Sequence, residues 1–193
     1  AASRTPHKSD ELNALAANSG GRITVIGIEV RDEESVRAAA AGVSGLDLVV
    51  CNAGTLNARG GLTKPGHTQE NIAESLMTNI AGVFFTARHF ADHLKGSAAP
   101  RIAVISSQMG SSERAGTTAP IYRATKAAAT NLMRSMALEL ARDGIAVGAY
   151  HPGWVQTDMG GAEAAITVEE SAKGLLQRFA ALDPSTSGVF ENY

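Results

Sequence analysis

Apolar residues along this chain follow two alternating rhythms. Unbroken, β-branched-rich runs at "GRITVIGIEV" (21–30), "LDLVVCNAG" (46–54), "RIAVISS" (101–107) and "GIAVGAYHPG" (144–153) predict strands. Between and after them, apolar positions recur every three or four residues and predict helices over 32–43, 69–95, 122–142 and 168–182. The clearest helix is 122–142. There Ala129, Leu132, Met133, Met136 and Leu140 mark one buried stripe, and Gly144 provides a stop after Asp143. "SGVFEN" predicts a short last strand. Continuous apolar strands alternating with helices predict an α/β fold, a doubly wound, Rossmann-like parallel sheet covered on both faces. No repeat or linker interrupts the pattern, so one domain over 1–193 is expected.

Composition changes this picture little. The 193 residues are 44% hydrophobic and 19% charged, with a net charge of -2, which suits one well-buried core. No long Lys/Arg cluster points to nucleic acid or anionic membrane. No apolar run reaches the ~20 residues that cross a bilayer. The single cysteine, Cys51, allows no internal disulfide and suits a reducing compartment, so a cytoplasmic protein is expected.

In parallel sheets ligands bind at the carboxyl ends of the strands. Asn52-Ala53-Gly54, Ser106-Ser107 and His151-Pro152-Gly153-Trp154-Val155-Gln156-Thr157 follow three predicted strands and would converge on one crevice. Tyr122 and Lys126 stand at i and i+4 on one helical face. An ammonium beside a phenol favours the phenolate, lowering a pKa that is ~10 when unperturbed.

"CNAG", Asn79 in "TNIAG", "ISS", "YRATK" and "HPGWVQTD", in this order, resemble the short-chain dehydrogenase/reductase family over nearly the whole chain. The wording of "YRATKAA" and "HPGWVQTDMGG" is most similar to its C-factor and sniffer-type carbonyl reductase branch. The resemblance implies an oxidoreductase that moves a hydride between NADP(H), with NAD as the alternative, and a carbonyl or secondary alcohol. It implies that Tyr122 is the general acid/base, that Lys126 holds the nicotinamide ribose and keeps the Tyr122 pKa low, and that Ser107 steadies the substrate oxygen. Asn79 would anchor a water that relays protons through Lys126. Asn52, Ala53 and Gly54 would line the adenosine side, with Pro152, Gly153, Val155 and Thr157 at the nicotinamide end. Arg4 would meet a 2′-phosphate, and Glu29 and Val30 would lie near the adenine. The expected partner is a small carbonyl or alcohol, with self-association through the 69–95 and 122–142 helices.

The family's first strand and its T-G-x-x-x-G-x-G turn have no counterpart here. "AASRTP" resembles the tail of the second strand, so a further βα unit of roughly 30 residues is expected upstream, beside the 46–51 strand. Without it Val49 and Val50 would border a bare edge. The final strand is likewise expected to continue beyond Tyr193.

Other residues carry plainer readings. His89 and His93 have zinc-pair spacing but no third ligand, so no metal is expected. His151 is held extended by the following proline. Cys51 lacks a basic neighbour and reads as a core residue. Trp154 would cover cofactor or substrate. An extended-type epimerase or dehydratase is disfavoured, since only 36 residues follow Thr157. A non-catalytic nucleotide-sensing protein of the same fold is the alternative from another class.

Overall fold

The computed structural model describes residues 1–193. Six parallel strands form two separate sheets. β1 (Ala2–Ser3) pairs with β2 (Ile26–Gly27). β3 (Leu48–Cys51), β4 (Arg101–Ile105), β5 (Ala146–His151) and β6 (Phe190–Asn192) pair side by side in that order. Six α-helices connect them: α1 (Asp10–Ala17), α2 (Glu33–Ala41), α3 (Gln69–Leu76), α4 (Gly82–Phe90), α5 (Pro120–Leu140) and α6 (Val168–Ala181). None is long and apolar enough to cross a membrane.

Local chemistry sets the helix starts. Asp32 accepts from the Glu34 amide at 3.0 Å ahead of α2. Thr167 and Glu170 bond each other's backbone amides at 3.2 and 2.8 Å, a capping box that opens α6. α5 starts differently. Ala119 has φ 50, a left-handed conformation costly for a side chain with a Cβ. Its amide donates to the carbonyls of Arg59 and Gly60, both at 3.0 Å, and Pro120 then fixes the first helical φ.

The predicted 69–95 helix is continuous in path but not in type. A five-residue π-turn, Met77–Ala81, separates α3 from α4, and a 3-10 turn, Ala91–Leu94, ends it. Two expectations fail more clearly. The 21–30 run forms a strand only at Ile26–Gly27, because its sole partner, β1, is two residues long. α1 was not expected. It buries no residue, so it leaves little apolar periodicity, though Ser9, Asp10 and Gly20-Gly21 are start and stop residues.

The larger sheet buries both faces. On β4, Ile102 and Val104 join the core made with α2, α4 and α5, while Ala103 and Ile105 face Tyr150, Phe179 and Leu182. The strand pleat thus sorts one apolar run into two layers, as continuous runs in parallel sheets require.

The two sheets do not pair with each other. Between them runs a cleft of about 1170 Å³, walled by Ile26 and Ile28 on one side and Val49, Val50 and Phe90 on the other. β3 is paired only along its β4 edge. Val49 and Cys51 are buried, while Val50 is 39% exposed.

In the second core layer the Tyr150 ring is fully buried, 5.2 Å from the Phe179 ring, yet its hydroxyl has no partner. Burial pushes this phenol up to about 12. Burying an unpaired hydroxyl opposes folding, so Tyr150→Phe should leave stability unchanged or raise it by up to ~1 kcal/mol, a melting rise of ~2–4 °C. A thermal transition lowered by that amount would mean the hydroxyl has a partner.

Candidate active site

The residues past β3 form the polar end of the cleft, and the end of β4, the start of α5 and the π-turn lie behind them. Asn52, Ala53, Gly54 and Thr55, just past β3, line the cleft together with Arg4, Glu29 and Val30, which follow the strands of the smaller sheet. Gly54 comes closest to the centre of the site. A Cβ there would lie 3.3 Å from Lys126 Nζ and 3.5 Å from Asn79 Oδ1. The lack of a side chain at Gly54 thus leaves backbone, ammonium and amide around one small space.

Lys126 reaches this point from the first turns of α5. Its ammonium is buried and donates to the Ile105 carbonyl at 2.8 Å, at the end of β4. No carboxylate pairs with it, and burial pushes its pKa down to about 8. An ammonium carries three donors, and the protein accepts from only one of them. The π-turn brings Asn79 in from the opposite side. Its Oδ1 accepts from the Thr55 amide at 2.8 Å, and its Nδ2 donates to the Thr55 carbonyl at 3.0 Å and to Thr125 Oγ1 at 2.9 Å. Thr125 Oγ1 in turn donates to the Tyr122 carbonyl at 2.8 Å. Asn79 therefore locks the β3 loop to the start of α5.

The structure distinguishes the two serines. Ser106 Oγ is spent within α5, on the Lys126 carbonyl at 3.0 Å and Thr130 Oγ1 at 2.7 Å. Ser107 Oγ accepts from the Met109 amide at 3.1 Å, and its side chain lies on the Tyr122 side, where it lowers the phenol pKa. Tyr122 corrects one expectation. Burial raises its pKa above the ordinary value, and Ser107 only partly offsets this. Lys126 Nζ sits over the ring face, 5.7 Å from its centroid, rather than at the hydroxyl. Spacing on a helix gives the shared face; it does not report burial.

The remaining residues divide by location. Glu29 faces the cleft with its carboxylate already held by Arg31, at 3.0 Å through Nε and 2.8 Å through Nη2, which keeps it below the usual carboxylate range. Arg31 continues to Glu74 at 3.0 Å. Arg4 is exposed on the same wall. Pro152, Gly153, Val155 and Thr157 follow β5 and do not line the cleft. The strand they leave runs beside the serines, since the Ser106 amide donates to the Tyr150 carbonyl at 2.8 Å. Pro152 accepts from Ser171 Oγ at 2.6 Å, and Gly153 takes φ 88, open only to glycine at little cost. Thr157 Oγ1 is committed to its own loop, with Val155 O at 3.3 Å and the Gly160 amide at 3.1 Å. Trp154 pins that loop through Gly160 O at 2.9 Å, and Arg59 reaches across to the Met159 carbonyl. His89 pairs with Glu33 at 3.0 Å, and the His93 ring packs on Phe90. Burial pushes the Cys51 thiol up to about 12, so it is not a ready nucleophile.

Thr55, Thr125 and Thr130 complete the framework and escaped sequence reading. Thr55 follows Gly54, Thr125 precedes Lys126, and Thr130 stands one helical turn after it.

Comparison with known proteins identifies the family and the fold. C-signal of Myxococcus xanthus is 35% identical over 124 residues, covering 64% of this chain and 75% of that protein. A chicken carbonyl reductase crystallised with NADPH is 32% identical, with a TM-score of 0.88 over 99% of this chain and 82% of its own. The carbonyl reductase Sniffer of Drosophila melanogaster is 26% identical, with a TM-score of 0.90 over 100% of this chain and 84% of its own. The family model described as short chain dehydrogenase matches residues 1–166, and the chain belongs to that family.

Proposed function

We propose that this chain carries the active centre of an NADP(H)-dependent carbonyl reductase or alcohol dehydrogenase, with Tyr122, Lys126, Ser107 and Asn79 as its working residues. The observation that carries the proposal is the buried Lys126 ammonium. It has no counter-ion, two unspent donors and the open Gly54 backbone beside it. Ribose hydroxyls fit that donor set. Arg4 on the cleft wall suits a 2′-phosphate. A bound nicotinamide supplies or accepts the hydride. Ser107 would donate to the substrate oxygen and resist its developing charge. Tyr122 would pass its proton to that oxygen. The raised phenol pKa keeps the hydroxyl protonated, ready for reduction. Asn79 would hold the loop and helix in register for proton return through Lys126.

Self-association through α3, α4 and α5 is part of the proposal, since Leu76, Met77, Phe84 and Leu138 are exposed there. The similarity to C-signal keeps a signalling role as a second reading. A purified protein that binds NADPH but oxidises it with no aldehyde, ketone or quinone would favour that role.

Tyr122→Phe tests the central role. Turnover should fall by ~10²–10⁴-fold with NADPH affinity nearly unchanged, because only the hydroxyl moves a proton. Retention of more than about a tenth of the rate would refute the assignment, given that range.

Lys126 titrates near 8 folded and 10.5 unfolded. Between those values the unfolded chain binds the extra proton, so stability should rise with pH across that window. Lys126→Met should be more stable than the wild type at pH 7, lose that rise, and bind NADPH more weakly. Urea unfolding between pH 7 and 10.5 checks this, and parallel curves for the two proteins would overturn it.

Arg4→Asp should move the kcat/KM ratio from NADP towards NAD, as a carboxylate suits a ribose diol and repels a phosphate. An unmoved ratio would place the selector elsewhere.

A further inference from the structure

Ser107 and Tyr122 must meet within a hydrogen bond, yet the residues between them, "QMGSSERAGTTAPI", carry little regular structure. One 3-10 turn, Gln108–Gly110, precedes a loop that runs to the start of α5. Arg123, the residue after Tyr122, gathers that loop. Its Nε donates to the Thr118 carbonyl at 2.9 Å, and its Nη1 to the carbonyls of Arg114 at 2.9 Å and Met109 at 3.2 Å. The end, the middle and the beginning of the segment are thus held by one planar group. Gly116 leaves the room: a Cβ there would lie 2.2 Å from Nη2. No carboxylate neutralises the guanidinium, so all its bonding goes to backbone.

Met109 makes the connection to chemistry. Its carbonyl accepts from Arg123, while its amide donates to Ser107 Oγ at 3.1 Å. The turn also seats directly on the catalytic helix, since a Cβ at Gly110 would lie 2.6 Å from the Ala127 amide nitrogen. We propose that Arg123 is a positioning residue for the reaction, setting the Ser107 hydroxyl opposite Tyr122 by tying the 109–118 loop to α5. The role rests on the proposed chemistry of Tyr122 and Ser107. Lysine cannot replace it, because one ammonium cannot reach three carbonyls in a fork.

The test compares Arg123→Ala and Arg123→Lys with the wild type, using NADPH oxidation by a reactive aromatic aldehyde. Displacing a reacting group by about 1 Å can cost ~10²-fold. A kcat lowered by about tenfold or more is therefore expected for both variants, with KM for NADPH little changed. The limb of the pH profile that reports Tyr122 should move upward, because Ser107 opposes the effect of burial. Millimolar guanidinium should restore part of the rate to Arg123→Ala and none to Tyr122→Phe. Trypsin cleavage after Arg114 should accelerate in Arg123→Ala and slow again with guanidinium, a readout that needs no turnover. Wild-type rates in Arg123→Ala beside a dead Tyr122→Phe would overturn this inference alone. An active Tyr122→Phe would instead overturn the proposed chemistry. A loss of rate that tracks loss of folded protein, without rescue by guanidinium, would also reject the positioning role.

Discussion

The structure turns on one buried cation. Lys126 is a charged group held among strand ends with a single backbone acceptor, the Ile105 carbonyl. An isolated ammonium so placed is expensive. The surrounding structure tolerates it because everything nearby is fixed: the end of β4 by the sheet, Gly54 by the Asn79–Thr55 clamp, and α5 by its apolar stripe. The same ammonium that opposes folding keeps two donors unspent beside the side-chain-free Gly54, so its cost has a use once a hydroxyl-bearing ligand arrives.

Around that point the framework divides its work. The apolar stripe of α5, including Ala129, Met133 and Met136, anchors the helix on the sheet and decides which residues face the strand ends. Threonines then fix the detail. Thr125 links Asn79 to the Tyr122 carbonyl, and Thr130 with Ser106 ties the strand end to the next helical turn. None of these contacts needs a charged partner. Packing sets the direction of the helix, and small hydroxyls set its rotation.

How much of this the sequence reveals depends on the kind of signal. Strands β3, β4 and β5 are continuous apolar runs, and α5 is a clean helical stripe, so their order can be read directly. The convergence of Asn79, Ser107, Tyr122 and Lys126 follows from that order. Burial does not. The Tyr122–Lys126 spacing suggested a lowered phenol pKa, but desolvation acts on both groups and reverses the direction for the phenol. α1 lies outside the core and leaves no period to detect. Arg123 looks like any surface arginine until the carbonyls around it are known, because a loop without periodicity gives no hint of what its backbone will meet.

The π-turn at Met77–Ala81 places a constraint on the spacing of the chain itself. A wide turn holds an extra residue relative to an α-helix, so α3 and α4 are out of phase by about one position, roughly 100° of rotation. Removing any single residue between Thr68 and Gly82 would let the helix relax into a regular register. It would then have to choose between keeping Asn79 against Thr55 and keeping Val83, Ala87 and Phe90 in the core. Substitutions can be absorbed here one at a time, but length cannot, and this stretch should drift in composition far more readily than in residue count.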